Sequence, residues 1–317
     1  MEPAIELRGV CKTFGDFQAV KPLDLVIPQG ATYGLLGPNG AGKTTAIRMI
    51  LRILTPDAGH IRILGEPQSQ RGLDRIGYLP EERGVYRRMK VRRLLSFFAE
   101  LKGIPPRVSR PRITEWLERL ELADRADAKV QELSKGMQQK IQFIGAILHD
   151  PEIVILDEPF SGLDPINQRV LREIITELKR AGKTILFSTH IIDHAERICD
   201  HICIIARGTM VADGSINAVK HQHGAEYVGL TLEEWSVAAS AAITQLPMVL
   251  HVREHGNDIE VQLHPGADPN SLLGELVRSG LRLKRFIVTE PSLEQVFVER
   301  VGRSNATAVE EEELAHV

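Results

Sequence analysis

The chain has 317 residues, enough for two domains, with 43% hydrophobic and 26% charged residues, the balance of an ordinary globular protein. A formal net charge of -3 excludes a global basic field for nucleic acid, and no apolar run approaches the roughly 20 residues a membrane span needs. Three cysteines, Cys11, Cys199 and Cys203, are too few for a disulfide framework, and the apolar surroundings of Cys199 and Cys203 mark them as reduced core residues rather than a metal pair.

Residues 4 to 36 read as β structure. Ile5-Glu6-Leu7-Arg8 and Leu23-Asp24-Leu25-Val26-Ile27 alternate, Pro28-Gln29-Gly30 turns, and Ala31 to Leu36 forms a buried strand. Phe14 lies between the first two runs, either as a core aromatic or as an exposed ring on which adenine stacks. A helix over Thr45–Leu51 is broken at Thr55-Pro56-Asp57-Ala58-Gly59. Short strands follow at Ile61–Leu64 and Ile76–Pro80, the second ending in Glu81-Glu82. From Val91 to Leu148 the pattern is helical. Leu94, Leu95, Phe98 and Leu101 share one face, Ile113, Trp116, Leu117 and Leu120 another, and Arg87, Arg88, Lys90, Arg92 and Arg93 form a basic run. That run is either a solvated face or an interaction surface.

Ile153-Val154-Ile155-Leu156 is a fully apolar run of the kind buried in parallel sheets, ending in Asp157-Glu158. A helix over Ile166–Arg180, a strand from Thr184 to Phe187 ending at Ser188-Thr189-His190, and a hairpin about Arg207-Gly208 complete the first region. Gly214-Ser215 and His221-Gln222-His223-Gly224 suggest a linker. Beyond it the pattern reads helix (Glu233–Leu246), strand (Val249–Glu254), strand (Asp258–Leu263), helix (Asn270–Ser279), strand (Leu283–Val288) and helix (Ser292–Val301), a small α+β domain. The acidic tail, with Glu310 to Glu313, reads as disordered. The expected division is 1–215 with a helical insert at about 84–148, then 216–302, then the tail 303–317. The N-terminal MEPAIELRGV has an early acid and no apolar stretch, which predicts no secretory signal and a cytoplasmic location.

The chemistry centres on Gly37-Pro38-Asn39-Gly40-Ala41-Gly42-Lys43-Thr44-Thr45, which fits G-x-x-x-x-G-K-[ST] between a strand and a helix. Glycines let the backbone curl so that N–H groups face one concavity, and the following helix adds its positive N-terminal end. Lys43 bridges the β- and γ-phosphates of a nucleotide in this reading, and the Thr44 hydroxyl ligates Mg²⁺. Asp157 holds Mg²⁺ through water, and Glu158 polarises the attacking water as general base.

With those residues in place, the chain resembles the ATP-binding subunits of ABC transporters over about residues 4 to 214. Phe14 matches the aromatic that stacks adenine, Gly37–Thr45 the Walker A loop, and Leu133-Ser134-Lys135-Gly136-Met137 the signature. Ile153–Pro159 matches Walker B with the adjoining glutamate, Ser161-Gly162-Leu163-Asp164 the D-loop, and His190 the switch histidine. The resemblance implies a P-loop α/β cassette with a mixed central sheet and a helical insert. It implies ATP and Mg²⁺ as ligands, and a head-to-tail pair, a homodimer or one with a paralogous subunit. There each nucleotide is held between the loop of one copy and Ser134 and Gly136 of the other, with Asp164 in the D-loop beside it. Tyr78 to Gly84, Phe160 to Pro165 and Pro291 to Phe297 are similar to bacterial ABC-2-type exporter ATPases of the sodium-extrusion and drug-export kind. That places the protein on the cytoplasmic face of the membrane with an integral permease docked near Glu82–Arg93, and no nucleic acid.

The sequence departs from the family pattern at Lys135 and Met137, which stand for the usual Gly and Gln, and at Glu81, which stands for the Q-loop glutamine. A carboxylate at Glu81 can bind Mg²⁺ or position water, and it adds negative charge near the phosphates. The competing reading is a soluble ABC ATPase of a cytosolic assembly such as cofactor assembly. The single cassette without coiled coil, zinc finger or basic arm weighs against the repair and translation types.

Overall fold

A computed structural model describes residues 2–82, 86–221 and 226–302. Arg83 and Gly84 of the exporter-like motif, Gln222 to Gly224 of the expected linker, and the acidic tail 303–317 lie outside the described residues. The described chain divides into two compact units, one up to Ser215 and one over Ile216–Arg300.

The first unit is built on two sheets. An antiparallel sheet pairs Pro3–Phe14 with Phe17–Pro28 on one side and Ala58–Ile63 on the other, with the short strand Glu66–Pro67 at the edge. The second sheet runs in the order Thr209–Ser215, His201–Ala206, Thr32–Leu36, Thr184–Thr189, Ile153–Asp157, Ile76–Leu79. All its neighbours are parallel except the hairpin strand Thr209–Ser215. A strand inside a parallel sheet is covered on both faces, so it has no polar side to show. Ile153, Val154, Ile155 and Leu156 are accordingly fully buried, as are Ile185, Leu186 and Phe187 beside them. The free thiols of Cys199 and Cys203 are buried in the same region, and burial raises both pKa values.

Among the described residues the helical insert holds three α-helices, Val91–Leu101, Pro106–Arg119 and Lys135–Ile147, with short 3-10 turns at Ala123–Arg125 and Val130–Glu132. Leu94 and Leu95 are buried as the periodicity predicts, but Leu101, expected on the same face, is 67% exposed at the helix end. Among the short elements not predicted are the strand Glu66–Pro67 and the helices Gln70–Asp74, Ile192–Ile198 and Ile216–His221. The last replaces part of the expected linker. No helix among the described residues is long and apolar enough to cross a membrane.

The second unit follows the order strand Tyr227–Leu232, helix Val237–Thr244, strands Val249–His255 and Asp258–Leu263, helix Pro269–Arg278, strand Leu283–Thr289. Its antiparallel sheet places Tyr227–Leu232 between Asp258–Leu263 and Leu283–Thr289, with Val249–His255 at the far edge. This is the split β-α-β-β-α-β arrangement of a ferredoxin-like fold. The sequence reading missed Tyr227–Leu232 and began the helix at Glu233; the helix starts at Val237, capped by Ser236, whose hydroxyl accepts from Ala239 N. Val228, Leu230 and Leu232 alternate into the core. The helix over 293–302 opens on a reciprocal cap: Gln295 N donates to Ser292 Oγ at 3.2 Å and Ser292 N to Gln295 Oε1 at 2.6 Å.

Candidate active site

The parallel register sets the site. Leu36 pairs with Thr189 and Asp157 with Ser188, so three adjacent strands bring Gly37, Thr189 and Asp157 together at their carboxyl ends. That edge of a parallel sheet is where α/β proteins place ligands.

The loop after Leu36 requires glycine at two places. A Cβ on Gly37 would stand 2.3 Å from the Ile205 carbonyl. Gly42 has φ 106° and would push a Cβ to 2.5 Å from the Ala19 carbonyl. Gly42 precedes the helix Lys43–Ile50, which has no side-chain cap, so its first-turn N–H groups have no acceptor from a capping residue. Lys43 is buried, and its Nζ donates to the carbonyls of Gly37 (2.7 Å) and Pro38 (3.0 Å). Burial lowers the Lys43 pKa, and the carboxylates of Glu158, Asp157 and Glu81 oppose that shift.

A cavity of about 360 Å³ opens over this loop. Its walls are Phe14, Phe17, Ala19, Asn39 to Thr45, Glu81, Asp157 and Glu158. Phe14 is 46% exposed rather than core, with Lys12 Nζ 5.7 Å from its ring centre. Phe17, which pairs with Phe14 across the hairpin turn and is more exposed still, was not singled out in the sequence; the only signal was a second aromatic three residues on.

The two acids occupy different settings. Asp157 is fully buried and takes a hydrogen bond from Ser188 Oγ on Oδ1, while Oδ2 is buried without a hydrogen-bond partner. Burial raises its pKa; the Ser188 and Thr44 hydroxyls work against that, and the Glu158 charge adds to it. Glu158 has φ 48°, a left-handed backbone unusual for a residue with a side chain. Its N–H donates to Ser188 O at 3.1 Å. Its Oε1 accepts from His190 N (2.9 Å) and His190 Nδ1 (2.7 Å), and its Oε2 from Thr189 Oγ1 (3.3 Å). The hydroxyls of Ser188 and Thr189 are hydrogen-bond partners of the two acids that the sequence reading passed over as a strand end. Glu81 is exposed, and burial together with the charges of Asp157 and Glu158 raises its pKa.

Other expected site residues stand apart from this cavity. Ser134 caps the helix Lys135–Ile147, accepting from Met137 N at 3.2 Å, with Gly136 in the first turn; neither lines the cavity. Asp164 caps the helix Pro165–Arg180 by accepting from Asn167 N at 3.0 Å, and it too is outside the lining. The arrangement gathers a cationic, N–H-rich cradle and the carboxylates of Glu81, Asp157 and Glu158 in the lining of one opening. That combination suits binding of a phosphate chain and activation of water beside it.

Comparison with known proteins agrees with this geometry. The family model described as ABC transporter matches residues 20–161. An uncharacterized ABC transporter ATP-binding protein, YhaQ of Bacillus subtilis, is 42% identical over 298 residues, 94% of this chain and 98% of its own length. The chain belongs to the ABC transporter ATP-binding proteins. As a member it is an ATPase subunit that binds ATP, on the cassette fold. A solved ATP-binding subunit of an ABC transporter, 31% identical, superposes with a TM-score of 0.66 over 70% of this chain and 93% of that one. A second family model, described as the C-terminal domain of ATP-binding proteins like DrrA1-3, matches residues 214–301 of this ABC subunit. The Nod factor export ATP-binding protein I of a Rhizobium species is 37% identical over 306 residues, 95% of this chain and 97% of its own.

Proposed function

We propose that this subunit is the motor of an exporter. It hydrolyses ATP in a two-copy assembly and drives a separate integral permease from the cytoplasmic face of the membrane. The observation that carries the reading is Glu158, held by His190 and Thr189 at the wall of the phosphate-loop cavity. Glu158 takes a proton from the attacking water as its oxygen bonds to the γ-phosphorus and the bond to the β-γ bridging oxygen breaks. His190 orients the Glu158 carboxylate through Nδ1, and Lys43 leaves its two loop carbonyls to meet the phosphates. Phe14 stacks the base.

Mg²⁺ fits the residues present. Asp157 Oδ2 is a buried acceptor with no partner, and the Thr44 hydroxyl interacts with the same carboxylate. Among the described residues no group of three or more His, Cys, Asp or Glu could hold a metal on its own, which suits an ion whose shell is completed by water and phosphate oxygens. Thr44, Asp157 and Glu81 would hold the ion, which when bound neutralises charge on the phosphate oxygens.

Two observations support a site completed by a second copy, identical or paralogous. Ser134, Gly136 and Asp164 are absent from the cavity lining. A Cβ on Gly136 would meet nothing closer than Leu163 Cδ2 at 3.5 Å, so the chain's own packing does not require glycine there. Close approach of a nucleotide held by another copy does. For the permease, an apolar hollow of about 650 Å³, lined by Leu51, Ile53, Tyr78, Pro80, Phe98 and Leu101 among others, opens where the chain runs toward Glu82 and the exposed basic residues Arg87 to Arg93. The unit from Ile216 serves as an accessory domain. The similarity to a Nod factor export subunit favours export as the direction. The test is purification of the tagged subunit from detergent-solubilised membranes. An integral protein co-purifying in stoichiometric amount is expected; a subunit that stays wholly in the soluble fraction of cells containing its permease removes the motor reading.

A further inference from the structure

Gln139 is buried at 1% exposure in the helix that Ser134 caps. Its Nε2 donates to the carbonyl of Pro159 at 3.2 Å, while its Oε1 is buried with no hydrogen-bond partner. A buried amide with half its capacity unmet is less favourable than an apolar residue of the same size. Packing alone therefore does not account for glutamine at this position; the donor does. Pro159 is the residue after Glu158, whose left-handed backbone needs its surroundings to hold it.

The partners of Glu158 come from two directions. Ser188, Thr189 and His190, at the tip of the strand Thr184–Thr189 and just beyond it, hold its N–H and its carboxylate. Gln139 reaches the following peptide from the helical insert. A second contact joins the same two segments: Leu163 Cδ2 packs over Gly136, 3.5 Å from where its Cβ would be. The helix starting at Ser134 thus grips the Glu158–Asp164 turn at both its ends.

We infer that Gln139 is a positioning residue that couples the two nucleotide sites of the assembly. This rests on the roles given above to Ser134 and Glu158. The helix that offers Ser134 to the other copy's nucleotide also fixes, through Gln139, the backbone of its own copy's Glu158. Occupation of one site shifts that helix and aligns the base of the second site. The coupling is carried by a hydrogen bond between two packed segments and is reciprocal by symmetry.

The test is Gln139→Met, which keeps the length and removes the donor. ATP affinity of the isolated subunit and the melting temperature report folding. Steady-state hydrolysis over a range of ATP concentrations gives kcat, KM and the Hill coefficient. The expected result is ~tenfold lower kcat, the scale of one net hydrogen bond lost at the transition state, with ATP affinity within about twofold of wild type and a Hill coefficient that falls toward 1. Should the methionine variant fail to fold, Gln139→Leu, which also lacks a donor and fits the buried site without an unmet acceptor, is judged by the same readouts. A kcat within about twofold of wild type, a wild-type Hill coefficient of 1, or a Hill coefficient untouched by the variant overturns the inference. Glu158→Gln run in parallel separates the two claims: turnover preserved there would strike down the general base itself, independently of Gln139.

Discussion

Replacing Glu158 by glutamine tests the chemistry with the fold left in place. The amide oxygen can keep both bonds from His190, now 2.9 and 2.7 Å, and the amide nitrogen can donate to Thr189 Oγ1 in place of the 3.3 Å bond that Oε2 accepts. What is lost structurally is the charge assistance on those bonds, which amounts to about 1–2 kcal/mol. For a domain of this size that is a fall in Tm of roughly 2–8 °C. What is lost chemically is larger. A positioned general base contributes about 10²–10⁴ in rate, and at 1.36 kcal/mol per decade that is roughly 2.7–5.4 kcal/mol. The two effects separate by assay, since phosphate release reads the second and thermal melting the first. Removing one of the carboxylates that surround Lys43 also lessens repulsion of the nucleotide, so ATP binding is retained or tightened and a stable ATP-bound pair accumulates on size exclusion. Phosphate release within about tenfold of wild type, in a variant that melts normally, would refute the assignment of Glu158 as base.

Lys43→Ala removes a buried cation that donates two hydrogen bonds at the cradle, and ATP affinity measured by equilibrium binding is expected to fall about tenfold to a hundredfold, the scale of a charged hydrogen bond; wild-type affinity would discredit the loop assignment. Ser134→Ala removes the N-cap bond to Met137, costing about 1 kcal/mol of stability, and is expected to weaken ATP-driven pairing while leaving nucleotide binding by the isolated subunit intact. Loss of stability alone, with pairing unchanged, would reduce Ser134 to a cap. Glu81→Gln is expected to raise the Mg²⁺ concentration needed for half-maximal hydrolysis, and an unmoved Mg²⁺ midpoint would remove Glu81 from the site. Its pH behaviour has a definite sign: the folded-state pKa of Glu81 is raised, as is that of Asp157, so the native state binds more protons than the unfolded chain between the ordinary carboxylate range and the raised values. Stability of the nucleotide-free subunit therefore falls as pH rises through that window, and Glu81→Gln flattens the slope of Tm against pH.

Most of the fold was legible because its signals are local. The apolar run Ile153–Leu156 lies where a two-sided sheet must put it, and the turn at Arg207-Gly208 joins the two strands expected. The missed elements lack such signals. The helix Ile192–Ile198 starts from Ile191 with no side-chain cap, and Ile216–His221 spans fewer than two turns. Tyr227–Leu232 alternates properly, but Gly229 interrupts it and it stands against the expected linker, so its central place in the sheet depends on pairing with segments far along the chain. The left-handed backbone of Glu158 was equally invisible, because partners around residue 190 impose it and the glutamate itself does not prefer it.

The site shows the same division between local cause and distant cause, and it decides how far a motif can be trusted. Serine at position 134 has a sufficient explanation within the chain, as the cap of its own helix, and so would be expected there whatever the protein does. Glycine at 136 has no such explanation, since its backbone is helical, a methyl group fits, and glycine in a helix is unfavourable by about 1 kcal/mol relative to alanine. Gln139, two residues past the end of the signature, differs: its donor is used within the chain, on the Pro159 carbonyl beside Glu158, while its Oε1 has no partner. Residues whose presence costs stability where they stand point outside the protomer more reliably than residues that match a pattern, and in this helix that residue is Gly136 rather than Ser134.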